Sequence, residues 1–153
     1  MKRFVLIFFM LAQTATASVK VVDGDSLEID GQRIRLDGID APEFLQTCEN
    51  KHNQSYNCGQ DAKAYLQNLI TNNKVECNCL PQTDKYNRKV CECFSNEISL
   101  NRKMVAVGLA RAYRSELYIK DEQLAAANHR GIWRGRHMRP ALYRILHRAE
   151  RRK

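Results

Sequence analysis

Apolar and polar residues alternate through the first part of the chain. From Ser18 to Ile29, Val19, Val21, Leu27 and Ile29 are spaced by polar positions, the period of two that predicts β-structure. Asp30-Gly31 is a two-residue hairpin signal, so Arg33 to Leu36 is predicted to return antiparallel. In that return Ile34 and Leu36 share one face and Arg33 and Arg35 the other, which turns the apolar side to a core and the guanidinium side to a ligand.

The period then changes. Ala41-Pro42 ends the regular pairing, and Phe44 to Asn57 is a polar loop rich in Asn and Gln. Gly59 to Thr71 carries Ala62, Tyr65, Leu66 and Leu69 at helical spacing. Lys74 to Leu80 and Arg88 to Phe94 are predicted strands flanking a turn region, Pro81 to Asn87. Ser99 caps a predicted helix with Leu100, Met104 and Val107 on one side, and Gly108 stops it. Asp121 to His129 reads as a further helix, and Gly131-Ile132-Trp133 closes the compact part. Beyond Pro140, Leu142, Ile145 and Leu146 suggest an amphipathic helix in an arginine-rich tail. No internal repeat or linker divides the chain. The predicted class is α+β, mainly β: a five-stranded OB-type barrel with about three flanking helices.

The composition of the first residues predicts export from the cytoplasm. Lys2 and Arg3, the nine apolar residues from Phe4 to Ala12 and the small residues Ala15-Thr16-Ala17 form the pattern of a signal peptide over residues 1–17. The apolar run is too short for a membrane span, which needs ~20 residues. Removing 17 of 153 residues leaves 136, enough for one domain with a real core: residues 18–135, followed by a basic tail, 136–153. The formal charge of +8 falls to +6 without Lys2 and Arg3, which favours polyanionic partners such as nucleic acid or anionic lipid. The protein is expected to be exported, periplasmic or secreted, and monomeric.

Two groups of residues carry candidate chemistry. Asp25 and Asp40, at neighbouring strand ends, can supply carboxylate oxygens to a hard divalent cation, although Asp-Gly pairs also serve as plain turns. Arg35, Glu43 and Arg88 offer what phosphodiester hydrolysis needs: a carboxylate for the water and forked donors for the phosphoryl oxygens. Taken by pattern alone, ordinary surface ion pairing accounts for Arg35, Glu43 and Arg88 better.

A resemblance tilts that balance. Asp23-Gly24-Asp25-Ser26, Arg35-Leu36 with Gly38-Ile39-Asp40-Ala41-Pro42-Glu43, and Thr83-Asp84-Lys85-Tyr86-Asn87-Arg88 together resemble the staphylococcal nuclease (thermonuclease) family. The likeness continues through Gly108-Leu109-Ala110 and Gly131-Ile132-Trp133. The resemblance implies a Ca2+-dependent enzyme that cleaves DNA and RNA to 3'-phosphate ends. By that resemblance Asp25, Asp40 and the Ala41 carbonyl would hold Ca2+, and Glu43 would orient or deprotonate the water. Arg35 and Arg88 would hold the scissile phosphate. Lys85 and Tyr86 would contact a nucleotide phosphate, Tyr113 would pack on a base, and Asp23 would support the loop. Asn87 stands where the family often has Gly, and Asn tolerates the left-handed turn this requires. The alternative is a non-catalytic nucleic-acid-binding OB module; a cysteine-stapled inhibitor or toxin would explain the cysteines but not the carboxylates and arginines.

Six cysteines fit an oxidising compartment. Cys77 and Cys79 on one predicted strand face Cys91 and Cys93 on the next; an unbulged antiparallel hairpin sets Cys77 opposite Cys93 and Cys79 opposite Cys91. Cys48 and Cys58 remain to clamp the loop after Glu43. A tetrahedral Zn2+ site from the four hairpin thiolates and buried free thiols are the alternatives. The histidines have no ligand-like spacing. The tail is read as an accessory grip on nucleic acid, against a solvated helix or one lying on a membrane surface.

Overall fold

A computed structural model describes residues 18–150; the expected signal peptide, residues 1–17, lies outside the described residues. Three strands open the chain: β1 (Val19–Asp23), β2 (Ser26–Ile29) and β3 (Gln32–Leu36). The β2–β3 turn is the expected one, with Asp30 and Gly31 at φ +48° and +80° and Ile29 opposite Gln32. The stretch from Ser18 to Ile29 is not one continuous strand. The register shifts between Val21 and Asp23 and the chain turns at Gly24-Asp25, a bulge that bends the strand and re-aims both aspartates. Gly24 permits this because a Cβ there would lie 2.7 Å from the Cβ of Ala62 and 2.8 Å from that of Ala41.

Five two-residue strands, a second hairpin and the helices follow in order. β4 is Ile39–Asp40, β5 Cys48–Glu49 and β6 Ser55–Tyr56, leading to α1, Cys58–Ile70. The second hairpin is β7 (Val75–Thr83) and β8 (Lys89–Ser95). β9 (Ile98–Ser99) leads into α2 (Leu100–Ala106), where the Ser99 hydroxyl accepts from the Arg102 N–H, and Gly108 follows at φ +75°. β10 (Arg111–Ala112), α3 (Ile119–Ala127), a 3-10 turn (Gly131–Arg134) and α4 (Pro140–Glu150) complete the chain. β7 runs to Thr83, past the expected end at Leu80, because a register shift after Cys79 re-pairs Thr83 with Lys89. Pro81 is tolerated there because β7 lies at the edge of the sheet and the residue is exposed.

The main sheet runs β1-β2-β3-β8-β7, antiparallel except for the parallel β3–β8 pair. These five strands curl into a half-barrel of OB type, mostly sheet, against which the helices pack. Leu27, Leu36, Ile39, Leu66, Leu100 and Met104 fill its interior without exposure, each burial stabilising by about 1.5–3 kcal/mol. α1 contributes Ala62, Leu66 and Ile70, the face its helical spacing predicted.

All six cysteines are paired, as Cys48–Cys58, Cys77–Cys93 and Cys79–Cys91. In the β7–β8 register Cys77 faces Cys93 and Cys79 faces Cys91, with Cα atoms 4.1 and 4.0 Å apart. Neither a thiolate metal site nor free thiols are present. Among the described residues no helix is long and apolar enough to cross a membrane.

Candidate active site

One open cleft of about 800 Å³ collects the predicted residues. The β1–β2 bulge supplies Asp23 and Asp25, β3 supplies Arg35, and the segment after β4 supplies Glu43. The β7–β8 turn adds Asp84, Lys85, Tyr86 and Arg88, and the segment after β10 adds Tyr113. Asp40 reaches the same group through its ion pairs. Two pairings do the assembling. Ser26 lies opposite Arg35 in β2–β3, which sets Asp25 beside the guanidinium, and Arg35 lies opposite Val90 in the parallel β3–β8 pair, which brings Arg88 to the same end.

The buried carboxylates are held by directed contacts. Asp25 is ion-paired with Arg35 and accepts from the Ser26 hydroxyl at 3.0 Å and the Ala41 N–H at 3.1 Å. Burial would raise its pKa, but Arg35 and hydrogen bonds with Asp23 and the Ala41 backbone reverse the sign and hold Asp25 below the ordinary carboxylate range. Asp40 lies 3.4 Å from Arg35 Nη2 and 2.9 Å from Arg144 Nη2, yet burial leaves its pKa raised. Asp23 accepts from the Asp25 N–H at 3.2 Å; burial, and then the charge of Asp25, push it up to about 7. Arg35 also donates to the Ile39 carbonyl at 2.8 Å, which fixes its plane.

Glu43 sits on a turn braced by Gln46, whose amide oxygen accepts from the Glu43 N–H at 3.3 Å and whose own N–H donates to the Glu43 carbonyl at 2.8 Å. The start of α1 backs this turn. A Cβ at Gly59 would stand 1.8 Å from the Glu43 carbonyl oxygen, so only glycine lets the helix approach so closely. Gly59→Ala is therefore expected to destabilise by about 1–3 kcal/mol, the usual cost of overpacking, and to displace Glu43. Urea unfolding checks this; an unchanged midpoint would mean that the turn yields freely.

Arg88 is presented by a tight turn. Asn87 has φ +58°, the left-handed conformation expected of it. The Asp84 carboxylate accepts from the N–H groups of Tyr86 and Arg88 at 2.9 and 3.0 Å, and from Arg88 Nε at 2.8 Å. Lys85 and Arg88 lie 5.1 and 5.4 Å from the centre of the Tyr86 ring, which is itself 44% exposed. Tyr113 is anchored by its N–H to the Gly38 carbonyl at 2.8 Å.

Sequence reasoning finds the helix that becomes α4 but misses its docking on the cleft. Arg144 donates to Glu43 Oε1 at 2.7 Å and to Asp40 Oδ1 at 2.9 Å, and Arg148 donates to the Tyr86 hydroxyl at 2.7 Å. The basic, amphipathic pattern of the tail was visible, but nothing in it specifies a docking place more than a hundred residues upstream. Asp84, the brace of Arg88, belongs to the Thr83–Arg88 motif, and nothing in that motif predicts its bracing role.

The donor chemistry suits a hard cation. Asp25 and Asp40 carry buried carboxylate oxygens close to the Ala41 backbone, whose N–H donates to Asp25, and burial raises the pKa values of Asp23 and Asp40. Among the described residues no cluster of three or more His, Cys, Asp or Glu side chains forms a ready-made cage, so part of any coordination must come from backbone or water.

The fold and site together define a small OB-type barrel whose cleft sets buried carboxylates against arginine forks, groups suited to handling phosphate. The chain is a member of the staphylococcal nuclease homologue family, whose family model matches residues 33–135. It is similar to the succinoglycan biosynthesis protein ExoI of Rhizobium meliloti (strain 1021), 31% identical over 127 residues that cover 80% of this chain and 66% of that protein. An uncharacterized protein of Methanocaldococcus jannaschii is 32% identical over 148 residues, covering 75% of this chain and 69% of the relative. A Haemophilus influenzae protein named as an uncharacterized endonuclease is 28% identical over 124 residues, covering 75% and 64%. The chain thus spans a little under two thirds of the first and third of these relatives.

Proposed function

We propose that this chain is an exported, Ca2+-dependent phosphodiesterase that hydrolyses DNA and RNA to products with 3'-phosphate ends. The observation that carries this reading is the convergence of Asp25, Asp40 and Glu43 with Arg35 and Arg88 in one cleft of a nuclease-family barrel. Three disulfides with no free cysteine support an oxidising destination. The proposed domain is residues 18–135, with 136–153 as its tail.

Asp25, Asp40 and the Ala41 carbonyl would hold the cation, which supplies charge neutralisation at the phosphate when bound. Arg35 and Arg88 donate to the non-bridging oxygens and stabilise the charge that grows on them during attack. Glu43 accepts a proton from the attacking water as the new phosphorus–oxygen bond forms. The bond to the 5'-oxygen breaks, and that oxygen leaves with a proton from solvent, so the phosphate stays on the 3' side. Lys85 and Tyr86 grip a neighbouring phosphate, and Tyr113 stacks on a base.

Single-stranded and duplex DNA, and RNA, are incubated with the purified protein in Ca2+ and then in excess chelator. Cutting that needs Ca2+ and yields ends that a polymerase extends only after phosphatase treatment is the expected result. Binding without cleavage of any of these substrates, with any divalent metal, would make the barrel a binding module.

A further inference from the structure

α4 docks on the cleft by its charged side. Arg144 bridges Glu43 and Asp40, and one turn further Arg148 holds the Tyr86 hydroxyl. The large apolar residues of the helix remain substantially exposed, Leu142, Ile145 and Leu146 at 46%, 64% and 45%, although Ile145 also lines the cleft. A helix attached by ion pairs, with little apolar burial, is loosened by anything that competes for those ions. Here two of them are the carboxylates to which the proposed reaction assigns the cation and the water.

Charge decides the competition. Asp40 is buried and needs a positive partner. Arg144 supplies it at 2.9 Å, with Arg35 at 3.4 Å. A divalent cation is the stronger partner for the same oxygen, and a guanidinium beside it meets like-charge repulsion. In its docked position Arg144 lines the same cleft as Arg35, Lys85 and Arg88. The next anion available to it is a substrate phosphate, which suits its planar fork.

Resting on the reading of this cleft as a cation-dependent nuclease site, we infer that α4 is a cation-released arm. Arg144 closes the site by holding Asp40 and Glu43, and on release it becomes a further phosphate-gripping residue of the same cleft. Arg148 leaves Tyr86 with it.

Ca2+ binding to the disulfide-intact protein is measured by titration calorimetry without nucleic acid, for the wild type, Arg144→Gln and Arg148→Gln. Arg144→Gln is expected to bind Ca2+ about 10-fold more tightly, a typical coupling between competing sites. Arg148→Gln, which touches Tyr86 and not the carboxylates, tightens it less. At saturating Ca2+ the same Arg144→Gln raises KM for DNA about 5- to 10-fold, the loss of one charge-assisted contact. Adding Ca2+ to the wild type accelerates hydrogen exchange of the α4 amides, since an undocked helix of this length is marginal alone. Unchanged Ca2+ affinity in Arg144→Gln, unchanged KM at saturating Ca2+, or α4 exchange indifferent to Ca2+ overturns the arm and leaves the nuclease reading standing. Absence of Ca2+ binding in all three proteins overturns the cation site, and the arm with it.

Discussion

Glu43→Gln is expected to lower turnover by about 10²- to 10⁴-fold, the usual worth of general-base help, with little change in thermal stability. The amide has the shape of the carboxylate and keeps an oxygen that accepts from Arg144, so the contact at Glu43 Oε1 can persist. What it cannot do is take a proton from water. The Glu43 side chain is 34% exposed, so the substitution strands no charge in the core. Rates at saturating DNA and Ca2+, taken together with thermal unfolding of the same samples, separate the outcomes. Near wild-type turnover would remove Glu43 from the proposed role; lost turnover with a collapsed melting temperature would place its effect in the fold.

Reduction of the disulfides should have the largest effect on stability. Cys48–Cys58 and Cys77–Cys93 span 10 and 16 residues of sequence, and closing loops of this order stabilises by about 3 kcal/mol each in the chain-entropy model. Cys79–Cys91 lies inside the loop closed by Cys77–Cys93, on the next rung of the same face, so its contribution does not add in full. About 6 kcal/mol in total is comparable to the whole stability of many domains, roughly 5–15 kcal/mol. Urea unfolding with and without a phosphine reductant is expected to show the midpoint fall steeply. Replacing Cys48 and Cys58 by serine should impair turnover more than replacing Cys77 and Cys93, because that bridge ties the start of α1 to the loop that follows Glu43. An unchanged midpoint after full reduction, verified by alkylation and mass, would leave the bridges with no stabilising part.

Much of this architecture is legible in the chain because it is local. Alternation predicts β2 and β3, and Asp30-Gly31 sets their register, which alone places Asp25 near Arg35. Equal spacing of the cysteines on two adjacent strands brings out the two rungs of the second hairpin. Helical spacing of Ala62 and Leu66 identifies the face that α1 buries. The break at Gly24-Asp25 was less visible, since a bulge interrupts a strand without changing its composition, and the close approach of Ala62 that demands glycine there comes from another element.

By itself the sequence determined the class of fold, the β2–β3 register and the facing of Cys77 with Cys93 and Cys79 with Cys91, because each depends on periodicity over a few residues or on turn chemistry. Only the tertiary structure decided which residues meet. The parallel β3–β8 pair brings Arg88 to the end of the sheet where Arg35 and Asp25 stand, and β10 pairs with β4 so that Arg111 lies opposite Asp40. It also decided that α4 returns to the cleft and sets Arg144 on Asp40 and Glu43. An arginine on an exposed helix looks the same in sequence whether it meets water or a buried carboxylate a hundred residues away. The difference arises from a carboxylate stripped of its hydration, which needs a cationic partner only once the closed barrel has buried it.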